Sequence, residues 1–145
     1  MRDQHRALRE LVQVTRDSQE LYEAVAERTG NPTLAQVCRR LAAAKSELID
    51  ALRLELVSIG SGVPADGTLA ADLRRAFTEL RAALSADADV LRSAELEESE
   101  DRLLQAYERA LDDLRTPELR AILTLQMPRV RECHEEMRRV RLALS

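Results

Sequence analysis

The chain has 145 residues, of which 45% are hydrophobic and 33% charged, but it has only four glycines, four prolines and three aromatic residues. One domain is expected at this length, and an all-β sandwich or barrel is excluded because turn residues and aromatic strand residues are too scarce. The 26 acidic and 22 basic residues are spread along the chain and give a net charge of −4. No basic tract is present, so neither nucleic acid nor a membrane surface is a predicted partner.

Seven of the eight glycine and proline residues lie between apolar-periodic segments and divide the chain into five predicted helices. Gly30-Asn31-Pro32 ends the first helix and begins the second, with Asn31 as the N-cap. The segment Thr116-Pro117-Glu118 is a similar start signal for the last helix. The predicted helices span residues 3–29, 32–59, 68–84, 87–114 and 117–143.

The connections between these helices predict how they pack. Tight turns join the first helix to the second and the fourth to the fifth, so each of these pairs is expected to be antiparallel. The segment between the two pairs, which includes the short helix 68–84, is long enough to cross the length of a bundle. This connectivity predicts an all-α, ferritin-like four-helix bundle with a long crossover that contains a short fifth helix, in a single domain over residues 1–145.

Polar side chains interrupt the apolar face of each long helix when residues are placed about 100° apart. They are expected to meet in one structural polar layer in the middle of the bundle: Thr15, Ser18, Tyr22, Lys45, Glu100 and Gln126. Lys45 is the only lysine among the 22 basic residues, which suggests a specific role for it. One interpretation is that Lys45 and Glu100 form a buried ion pair that fixes the helix register. The alternative is a metal site formed by Glu97, Glu100 and His134.

A di-iron site of the ferritin type is not expected from this sequence. Such a site needs a Glu from each of two helices and a Glu-x-x-His motif from each of the other two. The chain has two histidines, of which His5 lies near its start and His134 follows Arg131 where the motif needs Glu. An inward Lys45 would also place a positive charge where the metal should lie. No cofactor is therefore predicted, and a single metal ion remains the alternative.

The two cysteines, Cys38 and Cys133, both fall within apolar stripes. They are too few and too distant in sequence for a disulfide framework, so buried thiols in a reducing compartment are favoured over a disulfide or a reactive pair. The chain begins with charged residues, and no run approaches the ~20 apolar residues of a membrane span. A soluble cytoplasmic protein is expected.

Pro128 is the one proline that falls inside a predicted helix. A proline there removes a backbone donor and clashes with the carbonyl four residues earlier, at Thr124, so a kink or bulge is expected. Bulges often lie beside functional sites, and Gln126 and His134 flank this one. The simpler interpretation is a helix that bends around its neighbours.

Three motifs, in the first, fourth and fifth predicted helices, carry a family resemblance over nearly the whole chain. They are Asp17 with Tyr22 and Val25-Ala26, Ser99-Glu100-Asp101 with Tyr107-Glu108-Arg109-Ala110-Leu111, and Gln126 with Val130 and His134-Glu135. They resemble a bacterial ferritin-like four-helix-bundle family that is described only as a domain of unknown function and is often linked to stress responses. The sequence departs from that family at Leu96, Ser99, Pro128 and Glu135. The resemblance implies an architecture and leaves the function open.

We favour a non-enzymatic bundle that acts through self-association as a dimer or through binding a protein partner, in a stress response, because apolar residues remain outside the inward faces. These residues are Val12, Val14, Ile49, Leu54, Leu125 and Leu142. No spacing of nucleophile and base and no glycine loop for phosphate appears, so no enzyme is predicted.

Two other functions remain open from the sequence. One is a stress protein that binds iron, manganese or zinc at Glu97, Glu100 and His134. The other is an acidic partner bound at the arginine-rich end of the last helix, where neighbouring glutamates favour an ordinary helix surface instead. The arginines concerned are Arg129, Arg131, Arg138, Arg139 and Arg141.

Overall fold

Four long α-helices form the part of the protein that this computed structural model describes, which is residues 4–58 and 89–144. The helices are α1 (Gln4–Arg28), α2 (Pro32–Ser58), α3 (Asp89–Asp113) and α4 (Pro117–Leu144). The helix ends at the two short turns, which are Arg28, Pro32, Asp113 and Pro117, lie within one residue of the predicted bounds 29, 32, 114 and 117. The short helix predicted over residues 68–84 lies outside the described residues. The described residues therefore form an all-helical bundle.

Side-chain contacts define the direction of each helix. Gln4, at the start of α1, accepts a hydrogen bond from the backbone N–H of Thr116 at 2.8 Å, and Tyr22 bonds to Glu100 further along both helices. α1 and α3 are therefore antiparallel, as are the two pairs joined by short turns. It follows that α2 and α3 run in the same direction, so α2 ends and α3 begins at opposite ends of the bundle.

The start of α2 follows the predicted capping chemistry. The side-chain Oδ1 of Asn31 accepts hydrogen bonds from the backbone N–H groups of Thr33 at 3.0 Å and Leu34 at 3.2 Å. These are two of the N–H groups that a helix leaves without an internal partner at its start. Asn31 therefore fixes where α2 begins and keeps the α1–α2 turn short.

α4 continues through Pro128 without a break. The helix is α-helical on both sides of the proline, so the predicted bulge is absent, and the predicted bend stays a prediction. Pro128 is exposed, and so is Thr124, whose carbonyl loses its usual helical donor to the proline. Solvent can reach that side of the helix, which explains why the helix accommodates the proline without rearranging.

The core consists of two hydrophobic clusters along the bundle axis. The first includes Leu52 of α2 and Leu123 of α4, and the second includes Leu41 of α2 and Met137 of α4. On α1, α2 and α3 buried polar side chains replace the aliphatic ones at the boundary between the clusters, whereas on α4 the boundary falls between Val130 and Cys133. None of the described helices combines the length and apolar character that a membrane span requires.

The structure corrects the predicted faces at three positions. Val12 and Ile49 were expected on an outer face, but they are 0% and 4% exposed and belong to the first cluster, against which Val14 also packs. Asp17 lies outside the apolar stripe that helical periodicity predicts for α1, but it is 1% exposed and accepts a hydrogen bond from Gln13 at 3.0 Å. α1 packs against both α2 and α3, so the buried arc is wider than one apolar stripe.

Candidate functional site

Glu100 of α3 is the centre of the buried polar layer. The Nζ atom of Lys45, on α2, lies 2.6 Å from Glu100 Oε1 and 3.0 Å from Oε2, and both side chains are 0% exposed. The hydroxyl of Tyr22, on α1, donates a hydrogen bond to Oε1 at 2.6 Å. The carboxylate is thus held by an ammonium and a phenol from two other helices. Hydrogen bonds to a charged acceptor of this kind are short and strong.

The Lys45 ammonium makes two further contacts in the layer. It lies 5.7 Å from the centroid of the Tyr22 ring, within the range of a cation–π interaction. It also lies beside the thiol of Cys133 on α4. Burial raises the pKa of Cys133, and the positive charge of Lys45 opposes that rise. The thiol therefore stays protonated at neutral pH, and all four helices contribute to the cluster.

The phenol of Tyr22 is fixed as a hydrogen-bond donor. Burial raises the pKa of Tyr22 well above 10.0, and the negative charge of Glu100 raises it further. Ionised Tyr22 would place two negative charges in contact inside the core, which neither solvent nor Lys45 alone could compensate.

A second group of hydrogen bonds links α3, α4 and α2 on the side of the first cluster. Tyr107 donates to Gln126 Oε1 at 2.7 Å, and Gln126 Nε2 donates to the backbone carbonyl of Leu48 at 3.2 Å. Burial raises the pKa of Tyr107, although contact with the Thr15 side chain opposes the shift. Thr15 itself donates to the carbonyl of Leu11 at 2.7 Å. Each buried polar group of this set is bonded to another helix or to its own.

Several buried polar residues were missed by the sequence analysis. Ser99 donates to Ser18 at 3.4 Å between α3 and α1, and both are buried. Arg92 and Ser93, near the start of α3, are 1% and 0% exposed. Arg92 precedes Glu100 by eight residues and so shares its face, which is a signal that helical spacing could have revealed.

The three predicted metal donors are engaged with three different partners. Glu97 forms an ion pair with Arg141, and His134 contacts Asp101. Glu100 is held by the ammonium and phenol described above. A metal ion bound by this set would have to displace all of these contacts. In the part of the chain that the structure describes, no three His, Cys, Asp or Glu side chains are grouped to hold a metal ion.

The arginines of α4 are partly used within the fold. Arg129 forms an ion pair with Glu47 of α2 at 3.0 Å, and Arg141 pairs with Glu97. Two of the five arginines considered for an acidic partner are therefore neutralised by other helices. The polar layer holds four helices in one register, because its polar groups form hydrogen bonds with each other and are buried from solvent.

A family model matches most of the chain. The model described as Domain of unknown function (DUF2383) matches residues 3–113, which include Tyr22, Lys45 and Glu100 but not α4. No curated protein and no solved structure matches the chain. The match covers more than half of the chain, and the described residues form a helical bundle in which the residues of the match supply the central ion pair. The protein belongs to the DUF2383 family.

Proposed function

We propose that this protein is a non-enzymatic helical bundle that acts by associating with a second copy of itself. The observation that carries the proposal is a set of large aliphatic side chains left on the outside of α2 and α4. Leu54 and Val57 on α2 are 72% and 61% exposed, and Leu125 on α4 is 77% exposed. Large apolar side chains that share an exposed face are typical of interaction sites, because association removes them from water.

Leu54 and Leu125 lie on the same side of the molecule. Leu54 follows Glu47 by seven residues, which places both on one face of α2. Leu125 precedes Arg129 by four residues and shares its face of α4. Glu47 and Arg129 meet at 3.0 Å across the groove between the helices. We call the surface formed by Asp50, Leu54, Val57, Leu125 and Arg129 the α2–α4 face.

The buried polar layer supports the non-enzymatic part of the proposal. Its central side chains, Lys45 and Glu100, are 0% exposed and bonded to each other. A catalytic group must touch its substrate, and these groups are already bonded to neighbours inside the bundle. The layer is better suited to specifying one arrangement of the helices on which an association surface can be displayed.

Other observations support the helix connectivity, the compartment and the stress role that we propose. The shared direction of α2 and α3 supports a ferritin-like connectivity. Cys38 and Cys133 are buried and form no disulfide, which supports a reducing compartment such as the bacterial cytoplasm. The family resemblance supports a role in stress responses.

Light scattering of the full chain at micromolar concentration tests the association. We expect a mass twice the 16.3 kDa of one chain. Leu54→Glu and Leu125→Glu should each give a monomer, because a charge at the centre of an apolar interface is costly to bury. Leu142→Glu is the matched control, since Leu142 is 57% exposed but lies near the other end of α4. A wild-type mass of one chain would contradict the proposal.

A further inference from the structure

We infer that two copies associate with α2 of each packed against α4 of its partner, about a two-fold axis parallel to the helices. The inference rests on the proposed self-association and adds its geometry. It follows from the order of acidic and basic side chains along the α2–α4 face. In this order α2 of one copy and α4 of the other place opposite charges side by side, whereas two copies of α2 would place like charges side by side.

Along the bundle axis, acidic and basic residues occur in opposite order on α2 and α4. Moving away from Leu54, the face of α2 presents Asp50 and Glu47 and then the basic Arg40. Moving away from Leu125 in the same direction along the bundle, the face of α4 presents a basic residue followed by two acids. These are Arg129, Glu132 and Glu136. When Leu54 of one copy is aligned with Leu125 of the other, the acids of α2 therefore face the base of α4, and the base of α2 faces the acids of α4.

The same complementarity is already used within one chain. Glu47 pairs with Arg129 at 3.0 Å, and Arg40 pairs with Glu136. Asp50 and Glu132 are both exposed, and within residues 4–58 and 89–144 no partner is found for either of them. A second copy packed with α2 on α4 would present the partner's Arg129 near Asp50 and the partner's Arg40 near Glu132.

The competing arrangement places α2 of one copy parallel to α2 of the other, about a two-fold axis of the same direction. A contact centred near Leu54 would then bring Asp50 and Glu47 of both copies together. Like charges facing each other across an interface suppress a pairing, whereas complementary charges fix its register. The α2-on-α4 arrangement covers Leu125 as well as Leu54 and places acids beside bases, so the charges select it.

Disulfide trapping between separate variant chains distinguishes these arrangements. Leu54→Cys and Leu125→Cys are prepared as two proteins of different tag length, mixed, and oxidised mildly in the folded state. The native Cys38 and Cys133 are 0% and 2% exposed and stay unreactive in this procedure. We expect the mixed disulfide between the two variants to be the main crosslinked product. A mixture of Leu54→Cys with Leu142→Cys is the control and should give little mixed product.

The outcomes separate the two proposals. If light scattering finds a dimer but Leu54→Cys crosslinks chiefly to itself, the pairing inferred here is wrong and self-association stands. If the protein is monomeric, both fall. A charge exchange gives an independent check: Asp50→Arg should weaken the dimer by about tenfold, equivalent to about 1.4 kcal/mol, and Asp50→Arg with Arg129→Asp should restore it. No recovery in the double variant would overturn the inferred contact.

Discussion

Lys45 and Glu100 are both removed from water, and the distance of 2.6 Å between Nζ and Oε1 compensates part of that loss. The desolvation of each ion costs several kcal/mol, so the net stabilisation from the pair is small compared with the penalty of separating it. The hydrogen bond that Tyr22 donates to Glu100 adds to the compensation. The pair therefore acts mainly as a constraint on which helix faces can meet.

We predict that Lys45→Met lowers the free energy of unfolding by about 3–5 kcal/mol, because it leaves the Glu100 carboxylate buried without its counter-charge. Adding Glu100→Gln should recover most of that loss, since a neutral amide still accepts the hydrogen bond from Tyr22. Urea unfolding followed by circular dichroism measures both values. Arg6→Met, in an exposed pair with Glu10 on α1, is the control and should change stability by less than about 1 kcal/mol. Additive losses in the double variant would contradict coupling between Lys45 and Glu100.

Single residues differ in how well the sequence reveals them. Lys45 could be singled out because it is the only lysine and stands in an apolar stripe. Asp17 could not, because its burial depends on how widely α1 is enclosed by neighbouring helices. Arg92 was also missed, although it shares a helix face with Glu100. A single charged residue near a helix start looks like ordinary surface until the packing around it is known.

Among the elements, α4 is unusual because it has a proline, Pro128, in its interior. Pro128 is exposed, so it contributes little packing that could offset the missing hydrogen bond to the Thr124 carbonyl. The helix is held instead by its buried residues, such as Met127 and Val130 on the opposite side.

We predict that Pro128→Ala stabilises the protein, by up to about 3 kcal/mol, because alanine restores a backbone donor and suits a helix interior. The midpoint of thermal unfolding, followed by circular dichroism, should rise. Pro117→Ala is the matched control, because Pro117 is the first residue of α4, where proline is favourable. That variant should show no comparable gain. An equal rise in both variants would mean that the position of Pro128 in the helix is not the cause.

Helix boundaries were predictable because glycine, proline and capping residues separate the periodic segments, as at Gly30-Asn31-Pro32. Helix faces were predictable only where a helix has a single packed side. Val12 and Ile49 look like surplus apolar residues on a helical wheel, yet the close contact of α1 with α2 buries both. Leu54 and Leu125 look the same in sequence and are exposed. Whether such a residue is buried depends on how closely the neighbouring helices pack, and the periodicity of the sequence does not give that distance.

At the scale of the whole molecule, the two tyrosines report on different parts of the core. Tyr22 belongs to the second hydrophobic cluster and Tyr107 to the first. Burial raises the pKa of both above the ordinary value of 10.0. Because the phenols are neutral in the folded protein where they would ionise in the unfolded chain, folding stability is fully retained below pH 10 and decreases as the pH rises above it.

We predict that tyrosinate absorbance stays low in the folded protein above pH 10 and then rises together with the loss of helical circular dichroism. The chain has two tyrosines and no tryptophan, so the absorbance change is easily assigned. The same protein in concentrated urea should titrate near pH 10 and is the control. Full tyrosinate absorbance at pH 10 with unchanged helical signal would show that the phenols are not protected as inferred.

The central charge pair also divides the chain into two dependent halves. One helical hairpin, α1 with α2, carries Lys45 and Tyr22, and the other, α3 with α4, carries Glu100. The opposite charge that Lys45 and Glu100 each contact lies on the other hairpin, so this ion pair forms only when the two hairpins pack together. Docking the hairpins one helical turn out of place would move Lys45 into aliphatic surroundings with no acceptor. The contact between Lys45 and Glu100 therefore specifies how the two hairpins pack. We expect a substitution at either position to keep the folded state stable only when the other position changes with it.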